Sequence, residues 1–521
     1  MPNTAQVNVN ETDLTISVTP GIKGINAVQG ITKRGPYGRP DLLIKSWEEF
    51  VRIYGGEMAG NEFPTLCKRA LDIGSQLRVN RVGHYTTISD KTTLTALKSS
   101  PTTPFQNAIP ETLFTLLPKN PGVDTNDLIV TIKAASNGDA SYFDLVIDHV
   151  DESALTETYK NLKVEASIVA NASFLSEIAL NSELMVPGYV NTSALSGTLR
   201  PVNLVHTYSG GSDGGAIIST DYTGDSAGST GFYSFDDIDD CLSISAPAMS
   251  TTAIHTAGTA YVEGRKDMVY YAHLASLTAN GLATERAALN IDSAYVAFFA
   301  GGLRIISSIS GSEINISELG DIIGISGRVD ADPQYGPWWS IAGDNRGKIN
   351  NALGVVSNFG SAGKFNDLNL LANRQINVVL VENGKIKLSG NFTAQLKQTR
   401  LSYLSIRKLL ITIKKDLKPT LKAFIEEPND PLTWKAIFRA VKPYLDDLAS
   451  EEKRALHSYR WEGDQNVSKA DDVVINKKSD IDQGKYKAKL FTKEIVSLQD
   501  IEVNIILTPS SVEFEEVQQN S

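Results

Sequence analysis

Between residues 236 and 390 the chain alternates strand-like and helix-like runs, and this alternation limits its architecture more than any other feature. Leu242–Ala246 and Met268–His273 read as short apolar strands, Thr251–Arg265 and Ala283–Ser293 as helices, and Tyr295–Ile306 contains a buried-type strand. Strands separated by helices of this length predict an α/β layer with partly parallel pairing. Residues 22–98 carry the same mixture. Ser46 stands where a helix N-cap belongs, with Glu48 and Glu49 in the first turn and Phe50, Ile53 and Tyr54 at helical spacing. A second helix is expected over Pro64–Gly74 and a strand over Gln76–Val82.

The segment between these stretches differs. Residues 99–205 give β-like runs at Leu113–Leu117, Leu128–Ala134, Tyr142–Ile147 and Val164–Val169, with turns at Pro121-Gly122 and Asn137-Gly138-Asp139. A short helix is expected near Ser173–Ser182. Beyond residue 391, Gln395–Lys418 and Pro431–Asp447 read as helices, and Ile501–Leu507 and Val512–Val517 as strands. At the other end, Leu14, Ile16 and Val18 alternate with Thr15, Ser17 and Thr19 before Pro20-Gly21 ends the run. Such polar terminal strands have no core of their own and must pair elsewhere.

A chain of 521 residues is too long for one ordinary core. The expected fold is therefore α+β and multidomain. It comprises an N-terminal arm (1–21), an α/β core in two parts (22–98 and 206–390), an inserted β-rich domain (99–205), and a C-terminal α/β domain with its own strand arm (391–521).

Chemistry-bearing patterns are sparse. The six histidines include no i, i+4 zinc pair, and the nucleophile-elbow pattern is absent. Gly210-Gly-Ser-Asp-Gly-Gly215 lacks the Lys-Ser/Thr ending of a phosphate loop and reads as a turn or linker. Cys67 and Cys241 supply neither a disulfide framework nor metal-ligand spacing. No catalytic residue, metal or cofactor is expected. The acidic stretch Asp213, Asp221, Asp225, Asp236, Asp237, Asp239 and Asp240 reads as a solvated surface; a cation site and a patch for a basic neighbouring subunit are the alternatives.

The formal net charge of −11 opposes general nucleic-acid binding. The polar N-terminus carries no secretory pattern, and Ala294–Ile306 falls short of the roughly 20 apolar residues that span a bilayer. Synthesis in a cytoplasm without membrane insertion is expected.

One helix departs from the acidic balance. On Gln395–Lys418, Leu396, Thr399, Tyr403, Ile406, Leu410, Ile413 and Leu417 share a stripe. Lys397, Arg400, Arg407, Lys408, Lys414, Lys415 and Lys418 occupy an adjoining arc. Intrahelical pairing would have mixed the signs, so the arc reads as a docking face for an acidic partner, against the alternative of a solvated face.

The order of segments resembles the contractile tail sheath family of phages and related injection systems. The likeness rests on Arg34-Gly-Pro-Tyr-Gly38, Leu42-Leu-Ile-Lys-Ser-Trp-Glu-Glu-Phe50 and Ala70-Leu-Asp-Ile-Gly-Ser-Gln-Leu-Arg-Val79 near the start. It continues through Gly210-Gly-Ser-Asp-Gly214, Ile238-Asp-Asp240 and Ala260-Tyr-Val-Glu-Gly-Arg-Lys-Asp267. Gly336-Pro-Trp-Trp-Ser-Ile-Ala-Gly343, Asn345-Arg-Gly347 and Phe424-Ile-Glu-Glu-Pro-Asn-Asp430 complete it.

The resemblance implies a structural, non-enzymatic subunit that stacks as hexameric rings around an inner tube and contracts to drive that tube through an envelope. It implies strand exchange between subunits through the arms, here Leu14, Ile16 and Val18 and Val503, Ile505 and Leu507, and an outward-facing insertion. The basic helix would face the tube. Tube, baseplate and tail terminator proteins would be partners, in a virion tail or injection particle assembled in a bacterial cytoplasm. The rival readings are a secreted adhesin or carbohydrate-binding β protein and an α/β hydrolase.

Overall fold

The computed structural model describes residues 18, 20–21, 23–84, 103–106, 112–164, 176–190, 200–359, 365–463 and 475–497. The chain begins its core with β1 (Ile25–Gly30), β2 (Leu43–Ile44), α1 (Trp47–Tyr54), α2 (Phe63–Ile73) and β3 (Gln76–Arg81). The Ser46 hydroxyl caps α1 by accepting from Glu49 N at 3.2 Å. β3 pairs parallel with β1, and β2 closes that edge antiparallel.

The next seven strands form two antiparallel sheets. One contains β4 (Thr103–Gln106), β5 (Thr112–Pro118) and β9 (Met185–Val190). The other contains β6 (Leu128–Ala134), β7 (Phe143–His149), β8 (Glu157–Leu162) and β10 (Leu204–Thr207). Their apolar faces share one core that includes Phe105, Phe114, Leu116, Val130, Leu145 and Met185. Tyr208 ties the sheets together by donating its hydroxyl to Leu116 O at 3.2 Å.

The core then resumes with β11 (Ser243–Ser245), α3 (Thr252–Arg265), β12 (Val269–His273), α4 (Ala279–Leu289) and β13 (Val296–Ala300). Gly301 and Gly302, both at positive φ, turn the chain into the small sheet of β14 (Leu303–Ile306), β15 (Glu313–Ile316) and β16 (Gly354–Val355). A Cβ on Gly301 would stand 2.6 Å from Val379 O, so only glycine fits. α5 (Leu319–Ala331), α6 (Phe365–Asn373), β17 (Ile376–Glu382) and β18 (Lys385–Ser389) complete this part.

The main sheet has the order β18-β17-β13-β12-β11-β1-β3-β2, parallel from β17 to β3. Its parallel strands are mostly buried on both faces, as helix-covered parallel strands must be. Val269 and Tyr271 face one cluster with α2 and α5; Tyr270 and Ala272 face the other with α3, α4 and α6. Phe298 and Phe299 divide the same way, and each such ring contributes about 1.5–3 kcal/mol by burial. Gly320, Gly324 and Gly327 let α5 lie against α2: Cβ atoms there would meet Leu66 O at 2.8 Å, Ile73 Cβ at 2.7 Å and Ser75 Oγ at 2.5 Å.

The last unit is a helical pair, α7 (Leu404–Lys422) and α8 (Pro431–Leu448), followed by an antiparallel pair, β19 (Leu456–Glu462) and β20 (Lys489–Glu494). Asp430 caps α8 by accepting from Thr433 N at 2.8 Å, with Pro431 at the first helical position. Leu409, Ile413 and Leu417 of α7 pack with Val441, Leu445 and Leu448 of α8.

Candidate assembly surfaces

α7 begins later than its sequence suggests, which divides the expected basic face. The Thr399 hydroxyl accepts from Leu401 N at 3.2 Å, and Thr399 N donates to Ser402 Oγ at 3.0 Å. These side chains hold a single 3₁₀ turn (Arg400–Ser402) in place of α-helix. Lys397 and Arg400 therefore lie ahead of the helix, and Arg400 reaches Glu494 O at 2.7 Å.

Inside the helix, three of the five cations turn inward. Lys408 is 1% exposed; its ammonium lies 2.6 Å from Asp330 Oδ2 and donates to Ser326 Oγ at 2.9 Å. Burial opposes that charge, but the Asp330 carboxylate outweighs it and raises the Lys408 pKa. Arg407 stacks on the Tyr295 ring at 4.2 Å. Lys415 donates to Asp239 O at 2.9 Å and to Cys241 O, and burial lowers its pKa. Only Lys414 and Lys418 of this helix's named cations are exposed. A continuous seven-residue exposed face is thus not formed, because α7 is wedged between the sheet and α8 and must bury most of its circumference.

The acidic stretch meets this helix within the same chain. Lys418 pairs with Asp239 at 3.3 Å, and Arg78 from β3 pairs with Asp240 at 2.5 Å. Asp221 lies 3.0 Å from His84 Nδ1, and Asp213 accepts from Val123 N at 3.0 Å. These four carboxylates are engaged inside the subunit.

Of the six arm residues, Val18 alone lies among the described ones; Leu14, Ile16, Val503, Ile505 and Leu507 fall outside them. Val18 packs against the α7–α8 cluster. The arm is held where it leaves the core. Asp416 of α7 accepts from Gly21 N at 3.1 Å and from the Tyr444 hydroxyl at 2.8 Å, and pairs with Lys23 at 3.2 Å.

β19 and β20 have no further strand on either outer edge among the described residues. Most of their side chains are partly or fully exposed. A two-stranded sheet is marginal alone, and its free edges present rows of unpaired N–H and C=O groups. The C-terminal segment follows β20 directly.

Groups with chemical potential are engaged structurally. His273 Nδ1 lies 2.9 Å from Glu318 Oε1, and Glu318 Oε2 accepts from Gly302 N at 2.9 Å. Burial opposes charge on His273, and Glu318 overcomes it, raising the pKa from its ordinary value. Both cysteines are buried and free, and burial raises their thiol pKa values.

One cluster, Asp124, Asp127 and His149, has metal-like proximity. However, His149 Nδ1 accepts from Asp151 N at 3.3 Å, which leaves the proton on Nε2, 3.3 Å from Asp124. A metal-binding histidine carries its proton on the other nitrogen. Lys33 and Arg34 also stand 3.2 and 3.6 Å from Asp124. The cluster reads as a charged seam that joins the insertion to the core, with Arg34 on Glu152 at 2.6 Å as its strongest element. Among the described residues no helix is long and apolar enough to cross a membrane.

The fold has close relatives in shape. The sheath tail protein of Listeria innocua superposes with a TM-score of 0.57 at 13% identity, over 92% of this chain and 96% of that one. The contracted helical sheath of the anti-feeding prophage gives 0.55 at 13% identity, over 98% of this chain and 100% of that one. The chain has the contractile-sheath fold. The contracted sheath of an extracellular contractile injection system gives 0.53 at 12% identity, over 99% of each chain. In sequence, the tail sheath protein of Vibrio phage KVP40 is 25% identical over 199 residues, 38% of this chain. That match spans 27% of the phage protein's length. No family model matches the chain.

Proposed function

We propose that this chain is the structural subunit of a contractile sheath, polymerising as stacked hexameric rings around an inner tube and contracting to drive the tube through an envelope. The observation that carries this reading is the β19–β20 pair, open at both edges among the described residues, within a sheath-like fold. Its free edges are the acceptors that arms from neighbouring copies require, since strand addition satisfies backbone groups and side-chain alternation sets register. Leu14, Ile16 and Val18 on one arm and Val503, Ile505 and Leu507 on the other carry that alternation.

In this reading the subunit is not an enzyme, and tube, baseplate and terminator proteins are its partners in a tail or injection particle. The insertion at 99–205 faces outward and the unit at 391–521 faces the tube. Tube contact falls to the exposed cations Lys397, Lys414 and Lys418, while Arg407, Lys408 and Lys415 hold α7 in place. Exposed pairs of this kind are each worth about 0–1 kcal/mol, weak enough to release together during contraction. Deleting residues 1–17 tests the reading: the variant should fold with wild-type circular dichroism yet form no ordered cylinders, and normal cylinders would refute the arm assignment.

A further inference from the structure

The Trp338-Trp339 motif lines an open groove of about 700 Å³ beside the start of the C-terminal segment. The Arg346 and Arg454 guanidinium carbons stand 4.7 and 5.6 Å from the centre of the Trp339 ring. Arg346 uses Nε on Ser340 O at 2.8 Å, and neither guanidinium has a carboxylate partner among the described residues. Trp339 Nε1 is buried without a hydrogen-bond partner. On the opposite wall Lys387 is already neutralised by Asp344 at 2.5 Å and by Glu382. Unpaired guanidiniums beside an unsatisfied indole N–H favour a carboxylate ligand, because charge-assisted and bidentate bonds to arginine are the strong ones.

A ligand of that chemistry lies next to the groove in sequence. Ile495, Val496 and Ser497 form part of the groove wall. The following residues, 498–521, contain five acidic side chains and no lysine or arginine. Asp500 is three residues past Ser497, within roughly 10 Å of extended chain. In an extended segment Asp500 and Glu502 project from the same face, about 7 Å apart, opposite to Ile501 and Val503.

We propose that this groove seats the start of the chain's own C-terminal segment, with the carboxylates of Asp500 and Glu502 on Arg346 and Arg454. The apolar alternation from Val503 onward then leaves the subunit in a defined direction. What this means for strand exchange rests on the sheath reading above, whereas the docking itself does not.

Digestion of the full-length chain by a glutamate-specific protease tests the seat, following release of residues 503–521 by mass spectrometry. In the wild type, cleavage after Glu502 should be slower by at least about tenfold than in Arg454→Glu, since one lost charged hydrogen bond is worth about that factor. Asp500→Lys, which lies in the tail and leaves the groove intact, should release the segment equally fast. Protection should also fall with added salt. Equal rates in all three proteins would overturn the proposal. Protection that disappears on dilution would also overturn it, by making a second copy's tail the occupant. Because the assay reads isolated subunits, a failure to polymerise would leave its result unaffected.

Discussion

At the scale of single residues, charges stand largely out of water at two points, Lys408–Asp330 and His273–Glu318. Lys408 and Asp330 are each about 1% exposed and join α7 to α5. Lys408→Met should strand a buried carboxylate and cost about 3–5 kcal/mol in urea unfolding, whereas Lys408→Met combined with Asp330→Leu should recover much of that loss. A double-variant loss equal to the sum of the Lys408→Met and Asp330→Leu losses would show that the pair is not coupled. His273 gives a pH signature. Its folded pKa is raised above the unfolded value, so its stabilisation is fully present below about pH 6.5 and fades as pH rises through the folded value. Unfolding free energy should therefore fall across that window in the wild type, and His273→Gln should flatten this part of the curve. An unchanged slope in the variant would remove the Glu318 partnership from the account.

At the scale of elements, the proposed N-terminal arm depends on how its exit is held. Asp416 gathers Gly21, Lys23 and Tyr444 at the exit of the N-terminal arm. Asp416→Asn keeps the shape but weakens two charge-assisted contacts, so a loss of about 1.5–3 kcal/mol is expected in urea unfolding. If the clamp directs the arm, polymers of this variant should be shorter or less regular even where the monomer remains folded; wild-type polymer order would leave Asp416 with a purely local role.

Much of this level was legible in the sequence. Ser46 reads as a cap and is one, and Leu128–Ala134 and Pro431–Asp447 fall on β6 and α8 almost to the residue. The misses have physical causes. Ala283–Ser293 slid by a turn because Thr278, which accepts from Gly281 N, starts the helix earlier. α5 escaped notice because Gly320, Gly324 and Gly327 disguise a helix whose glycines serve close packing. The β17–β18 hairpin carried a usable signal, since Asn383-Gly384 takes positive φ at both positions, as a type I′ turn requires. The start of α7 was obscured because Thr399 and Ser402 bond to the local backbone, which helical periodicity does not reveal.

At the scale of the molecule, the main sheet is covered on both faces, Arg34, Lys33 and Arg81 bond to the β-rich segment, and β19–β20 has no further strand on either edge among the described residues. The mixture of helices with several sheets was readable from alternation and composition. The pairing of the acidic stretch with α7 was not, because Asp239 and Lys418 are 179 residues apart in sequence. For the same reason the expected basic face dwindled: folding used several of its charges inside the subunit before any partner could. Charge reversal at Lys414 and Lys418 should weaken the proposed tube docking and lower its salt dependence while costing about 1 kcal/mol of stability through the lost Lys418–Asp239 pair; unchanged docking in a cosedimentation assay would place tube contact elsewhere. The proposed role of this subunit is to build a contractile cylinder. Negative-stain microscopy of the full-length chain co-expressed with a candidate inner-tube protein tests it. Long, six-fold, helically ordered cylinders around the tube are expected, and persistent monomers with bare tubes would refute the sheath role.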